Sequence, residues 1–192
     1  FNIDSVKSII GNPSNSGKPR SGWYLQQLLK LYAGKIIPSI LETYLVIDCD
    51  TLFLKPTQFI TDDGKYILTT GTEYHIPYFI HMNKLHPSLK KIYPLSGISH
   101  HTLFNTNLVS SLMQMVEKYH DNKKSFWQLY LDFITPENYS LSGAAENETY
   151  FTYLYLYHFD KIKIRQLNWT NTSQMILNRN YDFISIHWYM RK

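Results

Sequence analysis

The chain has 192 residues, of which 44% are hydrophobic and 18% are charged, so we expect one globular domain over residues 1–192 with a full hydrophobic core. A formal net charge of +4 favours anionic ligands such as nucleotide diphosphates. The lysines are scattered rather than aligned along one element, so we expect no nucleic-acid partner.

The single cysteine, Cys49, excludes an intramolecular disulfide and a cysteine-cluster metal site. Its place within an extended segment predicts a small buried side chain. No apolar run approaches the roughly 18 residues that a membrane span needs, and no signal peptide opens the chain. We therefore expect no transmembrane segment and a reducing, cytoplasmic location.

The first predicted helix covers residues 21–33, where leucines and Tyr32 recur at helical spacing. Ser21 is the expected cap, and Gly34 is the expected end of the helix. The preceding residues 11–20 are rich in Gly, Pro, Ser and Asn, which predicts a polar loop able to act as a lid.

The apolar run 44–47 predicts a strand, followed by an extended segment 51–54, a tight turn at 61–65 and a second strand over 66–69. Residues 73–86 mix aromatic side chains with histidines and predict irregular structure. Helices are predicted over 108–119, over 125–133 and from Glu146 onward, and strands over 162–167 and 183–188. Alternating helices and strands predict an α/β sandwich built on a mixed sheet.

Asp48-Cys49-Asp50 directly follows the apolar strand 44–47 and precedes Thr51-Leu52-Phe53-Leu54. Two carboxylates at the rim of a strand are costly unless a cation or hydrogen-bond donors compensate them. A hard divalent ion with oxygen ligands is the natural partner, and such an ion would in turn hold a phosphate. The pattern predicts a metal-dependent enzyme acting on a phosphorylated or nucleotide-linked substrate.

These residues resemble the glycosyltransferases of the GT-A fold, which carry an Asp-x-Asp motif, and among them a small subfamily found in bacteria and large DNA viruses. The resemblance is carried by residues 20–32, 44–56, 97–101, 142–148 and 184–191. It implies a Rossmann-like, three-layer α/β/α sandwich with a mixed sheet. It also implies transfer of a sugar from a nucleotide-diphosphate sugar to the hydroxyl of a glycan or other acceptor, with Mn²⁺ or Mg²⁺ as cofactor.

The resemblance also implies roles for individual residues. Asp50 is the expected metal ligand, and Asp48 the residue that contacts the donor ribose or the metal. His187, near the end of the last strand, is the third expected ligand, because neutral imidazole suits Mn²⁺. Arg20 would bind the diphosphate or donor sugar through its bidentate guanidinium, and Gln26 would face the donor from the same helix.

Glu146 and Glu148 stand where the family places a catalytic acidic motif, so one of them, with Glu146 preferred, is the expected general base for the acceptor hydroxyl. Acidic residues in a first helical turn also stabilise the helix dipole without any catalytic role. Of the adjacent pair His100 and His101, neighbours that point to opposite faces of a strand, we expect His101 to enter the site.

No strand is predicted before Ser21, so the nucleotide-binding first strand of the family is expected to lie upstream of this sequence. Two other functions remain open. A phosphatase of the haloacid dehalogenase type also ends a strand with Asp-x-Asp, but it requires Thr or Val where this chain has Leu52. A non-catalytic carbohydrate-binding module would use the carboxylates to bind sugar hydroxyls or calcium.

Overall fold

The structure, a computed structural model, describes residues 1–187 and 190. Helices span Ile3–Ile10 (α1), Ser21–Ile36 (α2), Ile76–Leu85 (α3), Thr106–Tyr119 (α4), Phe126–Asp132 (α5) and Glu146–Tyr157 (α6). Strands span Ser14–Asn15 (β1), Lys18–Pro19 (β2), Thr43–Ile47 (β3), Thr51–Phe53 (β4), Tyr66–Thr70 (β5), His101–Asn105 (β6), Ile162–Gln166 (β7), Trp169–Thr172 (β8) and Phe183–Ile186 (β9). The fold is therefore mixed α/β, as the alternation of patterns predicts.

The strands form several small sheets with both pairing directions. β3 runs antiparallel to β6, from Thr43 opposite Asn105 to Ile47 opposite His101. β5 and β7 are parallel. In the third sheet β9 lies between β4, to which it is antiparallel, and β8, to which it is parallel. This pairing brings the end of β9 back to the Asp-x-Asp turn, because Thr51 lies opposite Ser185.

The hydrophobic core lies mainly between the helices and the β3–β6 pair. Its fully buried members include Val6, Leu28, Phe104, Leu112, Phe126, Tyr150 and Leu154. Burying one such side chain contributes about 1.5–3 kcal/mol relative to leaving it in water. The core therefore fixes α2 and α6 against β6, and the first turns of these two helices supply much of the site described below.

The predicted helix 21–33 is confirmed but is longer, because α2 continues through Gly34 to Ile36. A Cβ atom built on Gly34 would lie 2.2 Å from Thr106 Oγ1 and 2.9 Å from the Tyr44 ring. Gly34 therefore permits close packing of the helix rather than ending it. The predicted cap is also wrong, since the N-cap residue is Arg20 and the Ser21 hydroxyl donates a hydrogen bond to Asn12.

The prediction of irregular structure over residues 73–86 is wrong for most of that range, where α3 forms. Its buried face consists of Tyr78, His81, Met82 and Leu85, at helical spacing. His81 interrupts the apolar pattern, yet it is 1% exposed and its Nε2 lies 2.8 Å from the carbonyl oxygen of Tyr130. Burial lowers the pKa of His81 to about 4, so the ring packs in its neutral form.

The first twenty residues contain a helix and a short hairpin that were not predicted from the sequence. Asn2 caps α1 in a capping box with Ser5, and Val6 and Ile10 enter the core. Within the predicted polar loop, β1 and β2 form a short hairpin whose turn places Ser16 and Gly17 at positive φ. The N-terminal region thus packs against the body of the fold before α2 begins.

The remaining predicted elements are confirmed with small shifts at their ends: β3, β4, β5, α4, α5, α6, β7 and β9. The predicted last strand extends to Trp188, which lies outside the described residues. Cys49 was expected to be buried, but it is exposed, because it lies in the turn after β3 rather than within the strand. Among the described residues, no helix is long and apolar enough to cross a membrane.

Candidate active site

One cavity of about 530 Å³ gathers most of the residues singled out by sequence. Its walls come from the start of α2, the turn after β3, the segments that follow β5 and precede β6, the start of α6, and the ends of β8 and β9. The predicted residues on its walls are Arg20, Gln26, Asp48, Asp50, Glu146 and His187. A second surface depression of about 470 Å³, near Asp62 and Lys163, contains none of them.

The Asp-x-Asp motif forms a tight turn between β3 and β4. The backbone N–H of Asp48 donates to the carbonyl of His100 at 2.9 Å, and that of Thr51 donates to the carbonyl of Asp48 at 2.9 Å. The first bond continues the β3–β6 pairing by one residue, so the position of the turn is set by the strand register. Both carboxylates thereby reach the cavity wall.

Asp48 is held by two cationic or potentially cationic groups. Lys30 Nζ lies 2.7 Å from Asp48 Oδ1, and His100 Nδ1 lies 3.4 Å from Asp48 Oδ2. Burial alone would raise the pKa of Asp48, but the hydrogen bond from His100 and the charge of Lys30 outweigh it and lower that pKa. Asp48 is therefore a carboxylate anion at neutral pH.

Lys30 links the Asp-x-Asp turn to α6. Its Nζ also lies 2.9 Å from Glu146 Oε1, and its side chain is 14% exposed. Burial lowers the pKa of Lys30, but the charges of Glu146 and Asp48 more than reverse this effect, so the pKa is raised overall. The ammonium group thus stays charged and joins two acidic residues from different elements.

Asp50 is positioned by β9. Its Oδ1 accepts a hydrogen bond from the Ser185 hydroxyl at 3.2 Å, and its carbonyl accepts one from the N–H of Ile186 at 2.8 Å. His187 follows directly, with its N–H bonded to the Thr172 carbonyl at 3.0 Å and its ring centroid 5.5 Å from that of His100. The C-terminal strand therefore brings His187 to the same cavity as Asp50.

The types of side chain at this wall suit Mn²⁺ or Mg²⁺, since Asp50 and Asp48 offer hard oxygen ligands and His187 offers an imidazole nitrogen. Within residues 1–187 and 190, no three acidic, histidine or cysteine side chains are grouped closely enough to form a complete metal centre. Mg²⁺ is commonly bound by one or two carboxylates together with substrate phosphates and water. Asp48 and Asp50 are carboxylates of the type that such a shared site uses.

Arg20 lines the cavity at the N-terminal end of α2. Its Nε donates to the carbonyl of Leu141 at 2.9 Å, its Nη2 donates to the Ser142 hydroxyl at 3.1 Å, and its guanidinium stacks 4.1 Å from the Trp23 ring centroid. Burial lowers the pKa of Arg20 without removing its charge. These contacts fix the orientation of the guanidinium at the cavity wall.

The two glutamines of α2 have different surroundings. Gln26 lines the cavity. Gln27 also reaches its wall, but the residue is 3% exposed and its amide is engaged on both sides, donating to the carbonyl of Ala144 and accepting from the Tyr130 hydroxyl. Gln27 therefore fixes the loop before α6 to α2.

The two predicted acidic residues of α6 separate in space. Glu146 lines the cavity and pairs with Lys30. Glu148 is 1% exposed and lies away from the cavity wall, where Lys91, the Ser96 hydroxyl and the N–H of Gly97 bind its carboxylate at 2.6–2.8 Å. The structure thus gives Glu148 a place in an internal ion-pair network rather than beside a substrate.

The adjacent histidines do point to opposite faces, but His100, not His101, lines the cavity. His101 is 4% exposed, and its Nε2 lies 2.9 Å from the Thr69 hydroxyl. Burial lowers the pKa of His101 to about 3, so the ring is neutral. The choice of His101 as the site residue is corrected to His100.

Sequence reasoning missed several cavity residues, foremost Lys30 and Glu73. Lys30 lies one helical turn beyond Gln26, so the spacing of polar residues along α2 was the signal that could have found it. Glu73 lies in a segment for which the sequence predicts irregular structure, and nothing in its immediate sequence marks it as a site residue. Trp169 and Asn171 reach the cavity from β8, which was not predicted.

A family model matches residues 7–172, and the chain therefore belongs to the family described as "Family of unknown function (DUF6492)". The matched range contains Arg20, Lys30, Asp48, Asp50 and Glu146, while His187 lies beyond it. A search of curated proteins finds no match.

Proposed function

We propose that this member of a family of unknown function is a metal-dependent glycosyltransferase, which moves a sugar from a nucleotide-diphosphate sugar to an acceptor hydroxyl. The observation that carries the proposal is the meeting of Asp48, Asp50, Lys30, Arg20 and Glu146 in one cavity of about 530 Å³. This volume lies within the range of roughly 300–1,000 Å³ that is usual for small-molecule sites.

The donor diphosphate fits the positively charged part of the cavity. Arg20 is pre-oriented by its hydrogen bonds to Leu141 and Ser142, and its remaining guanidinium N–H groups can bind phosphate oxygens. Mn²⁺ or Mg²⁺, held by Asp50 together with His187 or Asp48, would supply positive charge to the leaving diphosphate. Gln26 and Arg20 then hold the donor from α2, as the resemblance to GT-A enzymes implies.

The sugar fits beside the acidic part of the cavity. Lys30 keeps Asp48 and Glu146 in fixed positions 2.7 and 2.9 Å from its ammonium group, and the second oxygen of Glu146 can accept a hydrogen bond from a sugar hydroxyl. Trp23, Tyr78 and Trp169 also line the cavity and offer aromatic faces to a sugar ring or base. Glu146 acts in this proposal as a donor-positioning group.

The same proposal includes a single GT-A-like domain with a Rossmann-like, three-layer arrangement. Supporting features are the strand β3 that ends in the Asp-x-Asp turn, its antiparallel pairing with β6, and the helices α2, α4 and α6 that pack near that pair. A phosphatase and a carbohydrate-binding module are the competing functions. The first would release phosphate from monoesters, and the second would bind glycans without turnover.

The proposal is tested by incubating the protein with Mn²⁺ and a panel of UDP- and GDP-sugars, each with methyl glycosides as acceptors. Release of nucleoside diphosphate together with a product one sugar heavier supports it. Phosphate release from p-nitrophenyl phosphate without sugar transfer would favour the phosphatase. Glycan binding without any turnover of the donor panel would favour the binding module.

A further inference from the structure

The cavity contains an acidic residue whose surroundings differ from those of the others. Asp48 and Glu146 are bound by Lys30, and Asp50 accepts a hydrogen bond from Ser185. His75 and His100 lie near Glu73, but within the described residues no ion pair forms with its carboxylate. Glu73 is thus the cavity carboxylate best able to accept a proton from a substrate.

The position of Glu73 is fixed by its neighbours in the chain. Gly71 forms an isolated antiparallel bridge with Ser96, with both N–H···O distances at 2.8–3.0 Å. A Cβ atom on Gly71 would lie 2.7 Å from the carbonyl oxygen of Ile98, so only glycine permits this approach. The bridge places Glu73, two residues further on, beside the segment that carries His100.

The segment opposite Gly71 is itself anchored. Ser96 donates its hydroxyl hydrogen bond to Glu148 at 2.8 Å, and the N–H of Gly97 donates to the same carboxylate at 2.6 Å. On the other side of Glu73, His75 Nε2 lies 2.8 Å from the carbonyl oxygen of Ser142. Glu73 therefore projects from a segment held at both ends, at the cavity wall.

We infer that Glu73 is the general base that takes the proton from the acceptor hydroxyl. This inference rests on the proposed function and replaces the earlier expectation that Glu146 or Glu148 has that role. Glu146 is paired with Lys30, and Glu148 is enclosed by a network that includes Lys91, so a proton on either carboxylate would remove the negative charge that balances a mostly buried lysine.

The sugar is transferred in a single displacement. The acceptor oxygen forms a bond to the anomeric carbon while its proton moves to the Glu73 carboxylate. The bond between that carbon and the phosphate oxygen breaks, and its electron pair leaves with the nucleoside diphosphate. Because the acceptor attacks from the side opposite the leaving group, the product has the inverted anomeric configuration.

The environment of Glu73 favours this role. Glu73 is an exposed residue, yet partial desolvation by the cavity walls raises its pKa above the ordinary value of 4.5, and the charges of His75 and His100 only partly oppose the shift. The titratable groups near it are His75, Tyr78, His100 and Glu148. The other charged or titratable groups of the cavity are Arg20, Lys30, Asp48, Asp50, Glu146 and His187. A base with a raised pKa accepts a proton more readily at neutral pH.

The test compares Glu73→Gln and Glu73→Ala with the wild type, using whichever UDP- or GDP-sugar of the panel is turned over. We expect the dissociation constant for that donor, measured by calorimetry with Mn²⁺, to stay within about twofold. We expect kcat to fall by about 10²–10⁴-fold. The acid limb of the wild-type pH profile should disappear in Glu73→Gln, and formate should restore part of the activity of Glu73→Ala. The matched control is Glu137→Gln, an exposed glutamate outside the cavity.

The outcomes separate the inference from the proposed function. Donor binding with a kcat of Glu73→Gln within about threefold of wild type overturns the role of Glu73 and leaves the transferase proposal standing. A product of retained anomeric configuration, measured by NMR at early times, overturns it as well. Failure of the wild type to bind or turn over any donor overturns both.

Discussion

The Lys30 ammonium lies 2.7 Å from an oxygen of Asp48, and the two side chains are 14% and 26% exposed. Because the same ammonium also pairs with Glu146 at 2.9 Å, one lysine on α2 fixes the distance between the Asp-x-Asp turn and α6. A cation held between two mostly buried carboxylates stabilises both, and its removal leaves two like charges facing each other.

Replacement of Lys30 by Met should therefore destabilise the fold. We expect a loss of about 3 kcal/mol in the free energy of unfolding, measured by urea denaturation at pH 7. Lys35→Met is the matched control, because Lys35 is exposed on the same helix and should cost no more than about 0.5 kcal/mol. Equal stability of the two variants would show that the Lys30 pairs do not stabilise this arrangement.

Substitution of His100 should lower donor turnover much more than substitution of His101. His100→Gln should lower donor turnover by at least about tenfold, since it removes a cavity side chain that holds Asp48. His101→Gln should retain turnover within about threefold, because His101 lies behind the cavity wall and Gln can still bond to Thr69. Loss of activity in the His101 variant alone, at unchanged stability, would contradict this assignment.

His101 should also make the fold sensitive to acid. The pKa of His101 is about 3 in the folded protein, whereas its ordinary value of 6.5 applies to the unfolded chain. Between pH 6.5 and pH 3 the unfolded chain therefore binds a proton that the folded protein does not. The stability that this residue contributes is present above pH 6.5 and falls as the pH decreases, by up to about 1.4 kcal/mol per pH unit.

The measurement is the unfolding free energy of wild type and His101→Gln between pH 7 and pH 4. We expect the wild type to lose more stability over this interval than the variant. His81, whose pKa is lowered to about 4, acts in the same direction but is present in both proteins. Parallel pH curves for the two proteins would exclude a buried neutral His101.

The ion pair between Glu148 and Lys91 should stabilise the fold. Glu148→Gln and Lys91→Met should each cost about 3 kcal/mol, because each leaves the other partner buried without its counter-ion. The double variant should cost less than the sum of the two, with a coupling energy of about 1–3 kcal/mol in a double-mutant cycle. Additive losses would show that the two groups do not interact.

Arg20 should affect donor affinity. We expect Arg20→Met to weaken binding of the active nucleotide sugar by about tenfold or more, which corresponds to about 1.4 kcal/mol. Arg20→Lys should recover only part of this affinity, since lysine lacks the planar donors and the stacking on Trp23. Arg179→Met, on an exposed segment, is the control. Full recovery by lysine would show that only the charge at position 20 matters.

Much of the fold could be read from the sequence because apolar spacing is a local signal. The strand β3 and the helices α4 and α6 follow directly from it. The signal failed where a polar residue is buried, as with His81 in α3, and where glycine serves close packing, as with Gly34 in α2. In both places the deciding contact comes from an element distant in the chain.

The site was partly predictable for the same reason. The Asp-x-Asp turn is a local motif, and its two carboxylates do line the cavity together with Arg20 and Glu146. Lys30 and Glu73 were missed because their importance depends on long-range contacts: Lys30 with Glu146, and the bridge between Gly71 and Ser96. The choice between His100 and His101 depended on the strand register, which the sequence alone did not fix.

The most direct test of the transferase proposal is calorimetric binding of the UDP- and GDP-sugar panel to wild type and Asp50→Asn, each with and without Mn²⁺. Asn keeps an oxygen for the Ser185 hydroxyl but loses the charge that, in this proposal, would anchor a divalent ion. Asp63→Asn, at an exposed turn, is the control. The proposal predicts that the wild type and the control bind one nucleotide series in a Mn²⁺-dependent way, and that Asp50→Asn, still folded, binds it at least about tenfold more weakly. Equal, Mn²⁺-independent binding by all three proteins, or no binding of any donor by the wild type, would contradict it.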